Sequence, residues 1–361
     1  GDGTTNGGSV PSSGAVFARE ITHSLGSAPG FVVVKSVSST GNWKACHRKD
    51  GVTQQLLALN SNGANQNTQS LSGGFCGIQH ADAANKFYLF PYSGSVAEVN
   101  ASGVTYVAYV FAHNAGGFGD DGEQDVISCG SYTGNGSATG PEINLGWEPQ
   151  WLLIKRVSGG NSYWGINDNM RGIATGGTDA MLHPNGTDAE YQQNVIDLTA
   201  TGFIPQANQS NTNASGSTYI YIAIRRPMKP PESGTEVFHP TFSINPGSPA
   251  FVSPFPVDFV IHKDSTGGQP RWSQRLAPTR LQSSSTAGET TTVEESFSFQ
   301  NGQYAPIDYG SPPGAIGSTS HMAWMFARRP GFMDVVAFTQ VGTGSVQTIN
   351  HNLTVVPELI I

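Results

Sequence analysis

Leu25, Pro29 and Lys35 are spaced as Leu145, Pro149 and Lys155 are, and an apolar run precedes each lysine, Phe31 to Val34 and Trp151 to Ile154. A third copy runs from Pro256 to Lys263 with one extra residue. A fourth begins with His351, Leu353 and Pro357 and goes on to Leu359, Ile360 and Ile361. The far ends of the copies match as well. Asn100-Ala-Ser-Gly103, with Tyr106 three residues on, returns as Asn213-Ala-Ser-Gly216 with Tyr219, and the apolar strand Tyr106 to Ala112 has a counterpart in His321 to Ala327. A chain built this way folds as a string of similar units. The lysines Lys35, Lys155 and Lys263 stand 120 and 108 residues apart. That is too long for a solenoid repeat of about 20–50 residues and suits one β-sandwich of roughly 100 residues.

Within each copy the local pattern is that of strands. The run Phe31 to Lys35 leads through Ser38 to Asn42 into Trp43 to His47, a hairpin by its turn residues. Trp151 to Val157, Ser158 to Asn161 and Trp164 repeat it, as do Phe259 to Lys263, Gly267-Gly268 and Trp272. No long window has helical periodicity, and 45 Gly and 22 Pro would break helices. Charged residues make up 12% of the chain, about half the usual share. With 37% apolar residues this excludes a disordered chain and a coiled coil, and the glycines lack the three-residue period of collagen. The expected fold class is all-β, with tandem antiparallel β-sandwich modules of about 110 residues. The expected modules are 1–114, 127–227 and 237–330, each with one central core, and 335–361 holds the first strands of a fourth. The joints 115–124 and 227–235 read as linkers, the second stiffened by its prolines. Because Val355 to Ile361 stop inside an apolar run, the chain is expected to be a piece of something longer.

The net charge is -8 with scattered basic residues, which argues against nucleic acid. The longest apolar stretch, Val104 to Ala112, falls short of the roughly 18–20 residues that insert in a membrane. Cys46, Cys76 and Cys129 lack a C-x-x-C spacing and are expected as reduced, partly buried thiols. No zinc spacing or calcium loop is present, Asp120 to Asp125 included, so no metal or cofactor is expected. Glu289, Glu294 and Glu295 occur in one copy only, and no G-x-S-x-G elbow exists, so the chain is not expected to be an enzyme.

The recurring Trp43, Trp164 and Trp272 are candidates for stacking on a sugar, against a packing role in the hairpin. Lys35, Lys155 and Lys263 read as strand-end residues whose stems cover apolar surface. His23 and His351 share a repeat position that Ile143 fills in copy two, so a structural role is expected. Arg225 and Arg226, like Arg328 and Arg329, stand before a proline where a closing strand meets a joint. They are candidates for inter-module or inter-subunit contacts through carboxylates.

Tyr219 to Pro227 followed by Gly234 to Phe238, the frame Ile-x-His-x-Leu-x-x-x-Pro with its lysine and tryptophan, and Met325 to Val336 together resemble a module repeated in large virion proteins of marine tailed bacteriophages. The resemblance covers about residues 15–361. It implies a jelly-roll or concanavalin-like sandwich in a virion component, a tail fibre or similar appendage contributing to host attachment, with a capsid decoration or head fibre as an alternative. It also implies a homotrimer and contacts with other virion proteins. A carbohydrate-binding, lectin-like role is the other reading. Host surface glycans would then meet loops 71–86, 185–194 and 208–217.

Overall fold

A computed structural model describes residues 19–51, 53–64, 68–70, 76–78, 83–89, 96–173, 175–227, 229–243, 251–286, 288, 295–297, 304–306, 321–338, 344 and 346–361. Glu289, Glu294 and loop residues 71–75 and 79–82 lie outside them.

Among the described residues the chain is all-β apart from one turn of α-helix at Val96–Val99 and a 3-10 turn at Gly234–Glu236, and every strand pairing is antiparallel. Each copy builds one large sheet around its lysine strand. In the first, Pro29–Ser36 lies between Tyr106–Ala112 and Lys44–His47, and Thr53–Ala58 and Thr68–Ser70 extend the sheet. In the second, Pro149–Arg156 lies between Thr218–Arg225 and Trp164–Asp168, with Ile127–Thr133 at the edge. In the third, Phe259–Asp264 lies between His321–Phe326 and Arg271–Gln274, flanked by Phe238–Phe242 and Ala277–Gln282. A smaller three-stranded sheet accompanies each of the first two, Arg19–Thr22 with Lys86–Leu89 and Cys76–Gly77, and Ile143–Asn144 with Gly202–Pro205 and Ile196–Thr199.

The repeated residues have local jobs. Each lysine ammonium bonds a carbonyl of its own hairpin turn: Lys35 reaches Gly41 O at 2.9 Å, Lys263 reaches Gly268 O at 3.0 Å, and Lys155 reaches Ser162 O. In the Asn-Ala-Ser-Gly motif the tyrosine hydroxyl accepts the N–H five residues earlier, from Ala101 at 3.0 Å and from Ala214 at 2.9 Å. Gly103 and Gly216 turn the chain there at φ 74° and 68°, a region open to glycine at no steric cost. His23 and His351 use Nδ1 to hold the N–H of Leu25 and Leu353.

The cores depart from one per module. Val32, Val34, Cys46 and Leu56 pack with Phe87 and Leu89 inside module one, and Leu152, Ile154, Tyr219 and Tyr221 pack with Phe203 and Leu198 inside module two. A further core lies between them. It joins Phe31, Val33, Ala45 and Leu57 of the first sheet to Leu153, Trp164, Ile220 and Ile222 of the second. The two large sheets therefore stack face to face, and the lysine strand of each is buried on both faces. The joint at 115–124 is correspondingly a tight connection closed by a Phe118–Gln124 bridge and a bond from Gly117 N–H to Gly122 O at 2.7 Å, rather than a spacer.

Candidate functional site

The seam between modules one and two is held by polar contacts along its rim. Lys155 also reaches across to Asn62 O at 3.0 Å, Ser162 N–H donates to the same oxygen at 2.9 Å, and the Trp164 indole N–H donates to Ala58 O at 3.3 Å. Lys155 is fully buried, and burial pulls its ammonium down to about 8, with Arg156 adding to the shift. Gly30 permits the close approach, because a Cβ there would lie 2.7 Å from both Cys129 Sγ and His113 Cβ.

His47 crosses the same seam. Its Nε2 bonds Tyr221 O at 2.9 Å, and its Nδ1 accepts the Lys49 N–H at 2.9 Å, so the neutral ring is fully used. Burial lowers its pKa from 6.5 to about 4, with the Tyr221 bond opposing and Arg48 adding. A histidine whose folded pKa is depressed gives stability that is complete above its unfolded pKa and drains as pH falls through the folded value. Between pH 6.5 and 4 the loss reaches about 2–3 kcal/mol. In His47→Gln this part of the acid sensitivity is expected to vanish. Urea unfolding of both proteins at about pH 7 and about pH 4.5 checks it, and equal acid losses would refute it.

The tryptophans do not form one set of sugar sites. Trp164 is 1% exposed and fills the seam, with no face open to a ligand, so the sugar-stacking expectation is corrected there. Trp43 is partly buried against the same core and stacks on Tyr109 at 6.2 Å. Trp272 pairs with Ile261, two residues before the lysine, whereas Trp164 pairs with Lys155 itself. Its position therefore matches Ile166 rather than Trp164.

The paired arginines divide. Lys155 pairs with Ile220 and Lys263 with Met322, and six residues beyond these partners stand Arg226 and Arg328. Strand register thus equates Arg226 with Arg328, one residue off the match made by the Arg-Arg-Pro motif. These two enter a buried ionic cluster. Arg328 grips Glu148 with both terminal nitrogens, at 2.8 and 2.6 Å, and its Nε meets Asp334 Oδ1 at 2.8 Å. Arg226 bonds the same Asp334 oxygen at 3.2 Å. The other Asp334 oxygen accepts the Asn352 N–H at 2.8 Å. Behind them Asp258 accepts the Arg328 N–H at 2.8 Å and faces Arg275, which reaches Met170 O of module two at 3.0 Å.

Burial pushes the Arg328 pKa down, but Glu148 and Asp334 outweigh it and leave it raised. Burial pushes Asp334 up, and Arg328 and Arg226 bring it below the usual carboxylate range. Charges thus balance inside a joint that draws on module two, module three and the segment after it. Arg225 and Arg329 stay outside. Arg225 bonds Asp125 O, beside the joint of modules one and two, at 3.4 Å, and Arg329 bonds the adjacent Arg328 O at 2.9 Å. The carboxylates Glu148 and Asp334 escaped the reading of the sequence, because they stand far apart in it and no spacing pairs them.

Loops 185–194 and 208–217 of module two meet on Tyr191. Its hydroxyl lies 3.0 Å from His183 Nε2, accepts from Asn211 Nδ2 at 2.9 Å and points at Met181 Sδ at 2.9 Å. The His183 ring lies flat against Tyr163, 4.5 Å between centroids and 7° between planes. Tyr163 remains 38% exposed and the Asp188 side chain 63%. A Cβ on Gly186 would press on Asp188 Oδ2 at 3.1 Å and make ordinary contact with Tyr163 Cε1 at 3.6 Å.

Among the described residues no group of three or more His, Cys, Asp or Glu is placed to hold a metal ion, and no helix is long and apolar enough to cross a membrane. No curated protein and no solved structure matches the chain. Residues 3–227, which contain the two modules that share the seam, match a family model described as a domain of unknown function, DUF7483, and the chain belongs to that family.

Proposed function

We propose that this protein is a structural component of a tailed-phage virion, a tail fibre or similar appendage whose β modules act as a stiff spacer and contribute to host attachment. The observation that carries this reading is the way modules are joined. Arg328 and Glu148 make a bidentate ion pair, 4% and 3% exposed, between modules two and three. Breaking such a pair strands a buried charge, so the joint resists bending, which suits a spacer. The resemblance to repeated phage modules points the same way. Host attachment finds its best surface at Tyr163, where an aromatic face backed by His183 stands beside the Asp188 carboxylate. A sugar's C–H face stacks on such a ring while a carboxylate accepts its hydroxyls. That favours a lectin-like contact in module two as the second reading.

Two experiments separate the readings. Antibody-labelled virions imaged by electron microscopy are expected to carry the protein on an external appendage, and absence from the particle would sink the proposal. The isolated chain, applied to an array of bacterial surface polysaccharides, is expected to bind through Tyr163. A flat array, or binding unchanged in Tyr163→Ala, would remove the lectin reading and leave the spacer standing.

A further inference from the structure

A row of side chains crosses the outer face of each large sheet. In module one Tyr109, Val33, Ala45 and Leu57 stand side by side on neighbouring strands. In module two Ile222, Leu153 and Ile166 do the same. These two rows close the seam on each other at Val33, Ala45 and Leu57, 3%, 0% and 1% exposed, and at Ile222 and Leu153, 2% and 6% exposed, while Tyr109 on the edge strand stays 47% exposed and Ile166 partly buried. The row of module three is Trp324, Ile261, Trp272 and Leu281. Here Leu281 is 44% exposed, where its counterpart Leu57 is sealed, and Trp324, Ile261 and Trp272 are only partly buried. The next row adds three aromatic rings, Phe238, Phe326 and Phe259, whose centroids are 5.0 and 5.3 Å apart.

The lysine strand of module three is also apolar on both faces over Phe259, Val260 and Ile261. Val260 fills its own core, while Phe259 and Ile261 turn outward. Continuous apolar runs belong to strands covered on both sides, and open aromatic patches mark association surfaces.

We propose that this face is a self-association surface, and that two copies of the chain join by stacking their module-three sheets as modules one and two stack within one chain. The occupant follows from the seam itself. There, the same register positions of two like modules are the two sides of one core. A face that pairs with its own equivalent gives a twofold contact and closes as a dimer. The inference stands apart from the appendage reading, since it concerns the isolated chain in solution.

Light scattering on the chain as it stands tests it. The expected mass is twice the 38.0 kDa of one chain. Leu281→Lys and Trp324→Lys are each expected to raise the dissociation constant by about tenfold or more. Leu281 is already open to solvent, so its replacement leaves the fold intact, and an unchanged thermal transition verifies that. Leu359→Lys, in the exposed C-terminal segment, is expected to leave the dimer untouched. A single-chain mass at about 100 µM, a trimer, a dimer that both face variants leave intact, or one lost in Leu359→Lys would each overturn the proposal.

Discussion

Glu148→Ala is expected to destabilise the joint between modules two and three by about 3–5 kcal/mol. The carboxylate is 3% exposed and takes two short bonds from Arg328, itself 4% exposed. Its removal leaves the guanidinium hydrogen-bonded to Asp334, with Asp258 nearby, and Arg226 already draws on the same Asp334 oxygen. Water cannot replace the lost carboxylate cheaply at that depth. The effect should change little with salt, because buried pairs are poorly screened. The double variant Glu148→Leu with Arg328→Met removes both charges and is expected to recover most of the loss. Urea unfolding of the single and double variants measures this. A loss below about 1 kcal/mol for Glu148→Ala would show that the pair is worth no more than a surface contact.

Trp164→Ala is expected to cost about 3–5 kcal/mol, and the loss should fall on the seam. The indole lies in the core shared by the two sheets, its ring 6.3 Å from that of Phe31, and its N–H bonds Ala58 O. Truncation opens a cavity between modules and removes the bond across the seam, leaving that carbonyl with the Ser61 N–H alone. Hydrogen exchange should therefore rise in both Lys44–His47 and Trp164–Asp168, strands of different modules. Trp272→Ala, on the open face of module three, is expected to cost less than half as much. A sugar-binding tryptophan would behave the other way, with stability kept and binding lost. Equal costs for the two variants would count against the shared core.

Much of the architecture was legible in the repeat. The lysine frame marked the central strand of each large sheet, and the Asn-Ala-Ser-Gly motif marked the turn that a tyrosine hydroxyl locks. Other features were out of reach. The Arg-Arg-Pro match aligned Arg225 with Arg328, because a motif counts residues along one strand and burial follows register across strands. Glu148 and Asp334 are single carboxylates far apart in sequence, and nothing in either position announces its partner. The tryptophans looked equivalent because each follows a hairpin turn, yet a two-residue offset puts Trp272 in a different register.

The sequence by itself determined the lysine strands and hairpins of the three copies, since these rest on alternation, turn chemistry and a repeat carried within each module, whereas the strands expected at 335–361 do not form among the described residues there. Only the tertiary structure decided what each sheet is buried against. In Phe31 to Val34 and in Trp151 to Ile154 every residue is apolar, so the strand states that both faces need cover and is silent on what supplies it. Hydrophobic burial is non-directional. The seam of modules one and two, the joint around Arg328 and the open face of module three were therefore settled by shape and register, at distances along the chain that no local pattern spans.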